Sequence, residues 1–262
     1  MKLKYFFIII TVVALSASSC NKFLEEKPMN FLNSSNFYQT EEEITAAVYA
    51  IYDPQRTFYT GGYAQMNWAI WELPSDQSYP NIGAGVIENS NVDDFNFDPE
   101  IIYFNNWWRT SYVTIDRANA VIKNVPNASK VSEEKRNTAV AEARFMRGLA
   151  YYELALGWGD VPLIDEINTN FFPSKNARVD VYNFAISDLQ FAEQYLPVSW
   201  PDNDYGRATK YAATAYLAKI YLSLTGYPVN DQSKFAAAAQ KAKEVIDNGP
   251  YSLYENVLEN WD

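Results

Sequence analysis

The sequence predicts a mainly α-helical fold in which paired, TPR-like helical hairpins carry long irregular loops rich in aromatic residues. Three observations lead there. From Asn105 onward, apolar residues recur at helical intervals. Two late segments present alanine-rich faces, which let neighbouring helices approach closely. Residues 53–104 instead scatter Pro54, Gly61, Gly62, Pro74, Pro80, Gly83 and Gly85 among aromatics, and no helical stripe persists.

The chain opens with Lys2 and Lys4, an apolar run from Tyr5 to Leu15, and the small residues Ser16 to Ser19. A membrane-spanning helix needs about 20 apolar residues, and this run reaches about half of that. Residues 1–19 therefore read as a removable export signal. Ala17, Ser18, Ser19 and Cys20 resemble the lipobox of bacterial lipoproteins, although Ser16 and Ala17 stand where many lipoboxes carry leucine. Lipidation of Cys20 would fix the chain to a membrane, because each buried methylene contributes about 0.8 kcal/mol. Residues 20–29 then form a polar tether, and residues 30–262 the folded domain.

Within that domain, Thr40 followed by Glu41, Glu42 and Glu43 reads as a capping box opening a helix that runs to about Tyr52. Trp108, Tyr112, Ile115, Ala118 and Ile122 mark one face of the next long helix, which stops before Pro126. Ser132 caps a third, with Phe145, Leu149, Tyr152 and Leu156 in a stripe that ends at Gly157 and Gly159. A fourth spans about Val179 to Leu196, with Val181, Ala185, Leu189, Ala192 and Leu196 inward. Two more follow, one on Ala208, Ala212, Ala215 and Ala218, the other on Phe235, Ala239, Ala242 and Ile246.

Composition narrows the chemistry. The chain holds no histidine, which removes Ser-His and Cys-His nucleophile pairs and most zinc sites. Its lone cysteine excludes internal disulfides. The formal net charge of −11 becomes −13 without Lys2 and Lys4, which argues against nucleic acid or an anionic bilayer as an electrostatic partner. No cofactor is implied. Aromatic residues reach 16 %, including 20 tyrosines and seven tryptophans, a supply of rigid area with polar tips.

Several ordered segments together resemble the SusD/RagB family of outer-membrane nutrient-binding lipoproteins. Ala141 to Leu154 (Ala-Glu-Ala-Arg-Phe-Met-Arg-Gly-Leu-Ala-Tyr-Tyr-Glu-Leu), continued by Gly157-Trp-Gly-Asp-Val-Pro-Leu163, is similar to the family's helix and its Tyr-Gly-Asp-Val-Pro-Leu turn, with Trp158 in place of the tyrosine. Gly206-Arg-Ala-Thr209 resembles the start of a TPR helix in that family. Ile246-Asp-Asn-Gly-Pro-Tyr-Ser-Leu253 resembles a helix exit, and Cys20 to Pro28 the mature N-terminus. The resemblance implies a surface-exposed, non-catalytic protein, lipid-anchored in the outer membrane. It would capture oligosaccharide, or in some members peptide, and pass it to a SusC-like TonB-dependent transporter. It also implies that these residues form the N-terminal part of a longer member.

For the site, the aromatic-rich loop segment is the candidate surface, since long loops in a compact domain are uncommon unless they are used. Phe58, Tyr59, Tyr63, Trp68, Trp71 and Tyr79 lie there beside Asn67, Glu72, Asp76 and Gln77. Sugar rings stack on aromatic planes and offer hydroxyls to carboxylates and amides. Trp68 and Trp71, spaced i,i+3, fit core packing equally well. Asn67, Trp71, Asp76, Gln77, Tyr79 and Trp107 are the expected ligand contacts, with Trp108 buried on the helix stripe and Trp107 pointing elsewhere. Trp158 is expected to pack, and Asp160 to hold its turn. Asn89, Asn91, Asp93, Phe95 and Glu100 fall on calcium-loop spacing, but Asp94 occupies the position that needs glycine, so the segment reads as a polar turn without metal. Two alternatives stay open: a TPR-like scaffold, and a glycoside hydrolase using Glu72 and Asp76.

Overall fold

Thr40 opens the first helix as the sequence predicts. Its Oγ1 accepts from Glu43 N at 3.3 Å, while Glu43 Oε2 accepts from Thr40 N at 3.1 Å and from Gln39 N at 2.7 Å. The structure is a computed structural model that describes residues 37–60, 66–80, 87–168, 170, 172–253 and 255–256. Cys20, the export signal and the tether lie outside the described residues. Eight α-helices occur among the described residues: α1 (Glu41–Thr60), α2 (Met66–Trp71), α3 (Ile87–Asp93), α4 (Ile102–Asn124), α5 (Glu133–Trp158), α6 (Arg178–Tyr195), α7 (Lys210–Thr225) and α8 (Phe235–Asn248). Strand pairing among these residues is limited to an isolated bridge between Val161 and Asn176. The mainly α class is as predicted, although the segment from 53 to 104 is less irregular than its turn formers suggested.

Helix α1 continues past Tyr52 to Thr60 with Pro54 inside it. Proline has no N–H for the carbonyl four residues back, here that of Ala50. That carbonyl instead accepts from Arg117 Nη1 on α4, and Arg117 also lies 3.6 Å from Asp53. A side chain distant in sequence thus replaces the missing backbone donor, which local pattern could not reveal. Arg117→Ala should cost about 1 kcal/mol in urea unfolding. In a Pro54→Ala background, where the restored amide reaches Ala50, that cost should largely vanish.

Successive helices pack as neighbours, α4 on α5, α5 on α6, α6 on α7 and α7 on α8, while α1 lies against α4 and α5. Helix α5 is the centre. From Ala139 to Ala155 nearly every residue is buried, so apolar side chains line it all round. Three charged residues on it are nonetheless buried. Glu142 is gripped by Arg207, with Nε to Oε2 at 3.0 Å and Nη2 to Oε1 at 2.5 Å, and it accepts from Tyr52 Oη at 2.9 Å. Arg147 forms a fork on Asp188 at 2.7 and 2.9 Å and also donates to Asn119 and Glu166 at 2.6 Å each. Burial works against the Arg147 charge, but the Asp188 and Glu166 carboxylates outweigh it and hold the guanidinium above its ordinary range.

The sequence motifs acquire physical roles here. Arg207 stacks on Trp200, 3.7 Å from the ring centroid, and Thr209 caps α7 by accepting from Ala212 N at 3.2 Å. The α6 stripe is as predicted: Val181, Ala185, Leu189, Ala192 and Leu196 are all buried. On α8 the helix forms where expected, but its large apolar residues are mostly uncovered. Ala238 is the buried residue of that helix, whereas Ile246 is 78 % exposed and Phe235 half exposed. These two line an apolar groove with Ala215, Ala218, Ala239 and Ala242 between α7 and α8, because α8 has no helix packed on its outer side among the described residues.

Candidate aromatic binding pocket

Gly157 is where the site begins. A Cβ built there would lie 2.7 Å from Trp107 Cη2, so only glycine lets this turn of α5 lie against the indole. Two residues on, Gly159 takes φ 74°, a left-handed conformation that ends α5. Asp160 Oδ1 then accepts from Arg178 N at 2.9 Å and starts α6, while Tyr112 Oη donates to Pro162 O at 2.9 Å. The Gly-Trp-Gly-Asp-Val-Pro-Leu turn is thereby pinned from both sides, and Trp158 is held in place.

Around this turn lies an open pocket of about 530 Å3, walled by the end of α2, the loop before α4, the first turns of α4 and the end of α5. Trp107 is its floor, 3 % exposed, with ring centroids 4.6 Å from Trp158 and 5.4 Å from Trp71. Trp108 meets Trp158 edge-on at 5.3 Å, and Phe97 meets Phe104 at 5.4 Å. Trp71, 47 % exposed, and Phe97 present free ring surface. Asp98, Asn105 and Arg109 are exposed at the rim. Asp98 Oδ1 already accepts from Glu100 N at 2.8 Å, which stiffens that rim. A ring-shaped ligand with an apolar face and a hydroxylated edge is the chemistry these walls complement.

Beneath the floor lies Glu153, one turn before Gly157. It is 7 % exposed and accepts from Tyr59 Oη on α1. Burial drives its carboxyl upward, only partly countered by the Tyr59 hydroxyl, the Lys219 ammonium and the Trp107 indole, so it is pushed up to about 7.

Of the predicted contacts, the structure brings Trp71 and Trp107 together. Their expected orientation is corrected: Trp107 is buried and Trp108 half buried, the reverse of the stripe reading. Ile115, Ala118 and Ile122 of the predicted stripe are buried, but in its first half the buried face of α4 runs through Tyr103, Trp107, Ser111 and Thr114 instead of Trp108 and Tyr112. Its two small polar members, whose hydroxyls have no strict hydrogen-bond partner among the described residues, hid that face from a hydropathy reading. Asp76, Gln77 and Tyr79 are exposed, Tyr79 by 83 %, on the turn after α2, and they do not line the pocket. Glu72 is exposed and also outside it. Asn67 and Trp68 lie on α2 with side chains outside the described set, as do the side chain of Phe58 and the whole of Tyr63.

Phe97, Phe104, Asn105 and Arg109 are pocket residues that sequence reasoning missed, while Trp158 packs on Trp107 and Trp108 as expected and also lines the pocket. Aromatic spacing at 104, 107 and 108 was the available signal. The calcium-like spacing falls largely on α3, where Asn89 Oδ1 accepts from Tyr103 Oη at 2.5 Å. Among the described residues, no cluster of three acidic or thiol side chains could hold a metal ion. A larger groove of about 830 Å3 runs beside Glu41, Glu134, Lys135 and Arg207, but the one indole on it, Trp200, is already covered by Arg207.

Fold and pocket together define a class: a helical-hairpin protein presenting an open aromatic pocket. The sequence profile of the SusD-like family, described as starch-binding associating with outer membrane, matches residues 22–222. The chain belongs to this SusD/RagB family. A SusD-like protein of Formosa agariphila is 28 % identical over 258 residues, covering 95 % of this chain and 47 % of that protein. A laminarin-binding SusD-like protein of known structure is similar at 27 % identity and TM-score 0.71, over 86 % of this chain and 48 % of its own. A protein crystallised with a xylogluco-oligosaccharide is similar at 29 % identity and TM-score 0.67, over 81 % and 42 %. The chain thus spans about half the length of the curated relatives it matches.

Proposed function

We propose that this chain captures oligosaccharide at the cell surface, as part of a lipoprotein anchored through Cys20, and delivers it to a SusC-like TonB-dependent transporter. One observation carries the reading: the pocket of Trp71, Trp107, Trp108 and Trp158 exposes aromatic faces beside a polar rim, in a chain whose relatives include glycan binders. Sugar rings stack on such faces, while Asp98, Asn105 and Arg109 offer partners for their hydroxyls. Among the described residues that line the pocket Asp98 is the one carboxylate, whereas glycoside hydrolysis ordinarily uses a pair. Binding without turnover is therefore the expected activity.

Affinity electrophoresis against laminarin, xyloglucan and starch, with chromatography of the incubated glycans, tests this. Retardation on at least one glycan with no new products is expected. Released products would replace the reading with a hydrolase, and retention of peptides alone would change the ligand class.

A further inference from the structure

The carboxyl of Glu153 sits where helices α1, α4, α5 and α7 meet, directly under the pocket floor. It accepts from Tyr59 Oη and lies against the Trp107 indole, and Trp107 in turn supports Trp71 and Trp158. We infer that Glu153 is a positioning residue for this pocket: as a carboxylate it holds Trp107 and Tyr59 in the ligand-ready arrangement, and its protonation weakens that hold. The inference rests on the pocket being the ligand site proposed above.

The reasoning is geometric first. A carboxylate accepts a charge-assisted hydrogen bond from the Tyr59 phenol and attracts the N–H edge of the adjacent Trp107 indole, whereas a neutral carboxyl holds both more weakly. In strict geometry Glu153 Oε2 has no hydrogen-bond donor among the described residues, so it is the atom at which a proton can be added without breaking the Tyr59 bond to Oε1. The groups facing Glu153 are Tyr59 from α1, Lys219 and Tyr216 from α7, and Tyr152 on its own helix. Burial raises the three tyrosines above their ordinary range, so they stay neutral near pH 7. The chain contains no histidine, the residue that ordinarily titrates there. Glu142 and Asp188 are also raised by burial, but each is clamped by an arginine, and substituting Glu153 leaves both in place.

The sign follows. Above the Glu153 transition the carboxylate form prevails and binding is tight, and as pH falls through it binding weakens. Titrating laminarihexaose and a xyloglucan oligosaccharide into the full chain should show affinity falling about fivefold from about pH 8 to pH 6. Glu153→Gln, which mimics the neutral form, should bind with the weaker affinity at both pH values. Unliganded tryptophan fluorescence should show a transition near pH 7 that Glu153→Gln lacks. In Tyr59→Phe it should move to higher pH, because a bond favouring the charged form is gone. A pH-independent affinity in the wild-type chain, or a transition surviving in Glu153→Gln, overturns the inference and leaves glycan capture standing. If neither sugar binds at any pH, the capture reading fails instead, and the fluorescence transition alone decides: its presence only with Glu153 supports the link to Trp107, its absence ends it.

Discussion

Replacing Arg147 by alanine is expected to cost about 3 to 5 kcal/mol, the largest loss of any single substitution on this fold. Its guanidinium satisfies three side chains from different elements: Asp188 on α6, Asn119 on α4, and Glu166 in the segment between α5 and α6. Alanine would leave Asp188 buried with only Arg144 near it, 3.7 Å away, and an isolated buried carboxylate is the expensive product. Arg147 also holds Glu166 below the ordinary carboxylate range, against the opposing effect of Glu166's partial burial. Chemical denaturation should therefore show a much lower midpoint with an unchanged slope. Asp188→Asn combined with Arg147→Ala should recover part of the loss by removing the stranded charge. Equal stability of the single variant and the wild type would mean that the cluster contributes nothing net.

The largest expected effect on ligand binding is at Trp71. It stands half exposed on the pocket wall, its ring edge-on to Trp107, and carries little of the core. Trp71→Ala should weaken glycan binding about tenfold or more, since stacking aromatics dominate such interfaces, while shifting folding stability by only about 0.5 kcal/mol. Tyr79→Ala is the counterpart. Tyr79 is more exposed and equally aromatic, yet it lies outside the pocket, and its removal should leave affinity within about twofold. Isothermal titration with the same oligosaccharide separates the two. Equal losses would place the ligand on the turn after α2 instead.

Much of the architecture was legible along the chain because its signals are local. The Thr40 box, the Ser132 cap and the α6 stripe depend on residues within a few turns of one another, and each is found where expected. The continuation of α1 through Pro54 was not legible, because Arg117 repairs the break from another helix. Nor was the open side of α8, since an amphipathic pattern marks which face is apolar but not whether anything covers it.

The site divides the same way. By itself the sequence determined the helical class, the aromatic supply, the absence of histidine and the motifs that fix the family. Only the tertiary structure decided which aromatics converge. Trp107 and Trp108 are adjacent in sequence and one turned out to be floor and the other wall, because Ser111 and Thr114 complete the buried face of α4. Trp158 joins them from α5 because Gly157 allows the helix to touch Trp107. The placement of Glu153 beneath that floor is likewise a product of helix packing, which takes its carboxyl out of water and sets it against Tyr59 and Trp107.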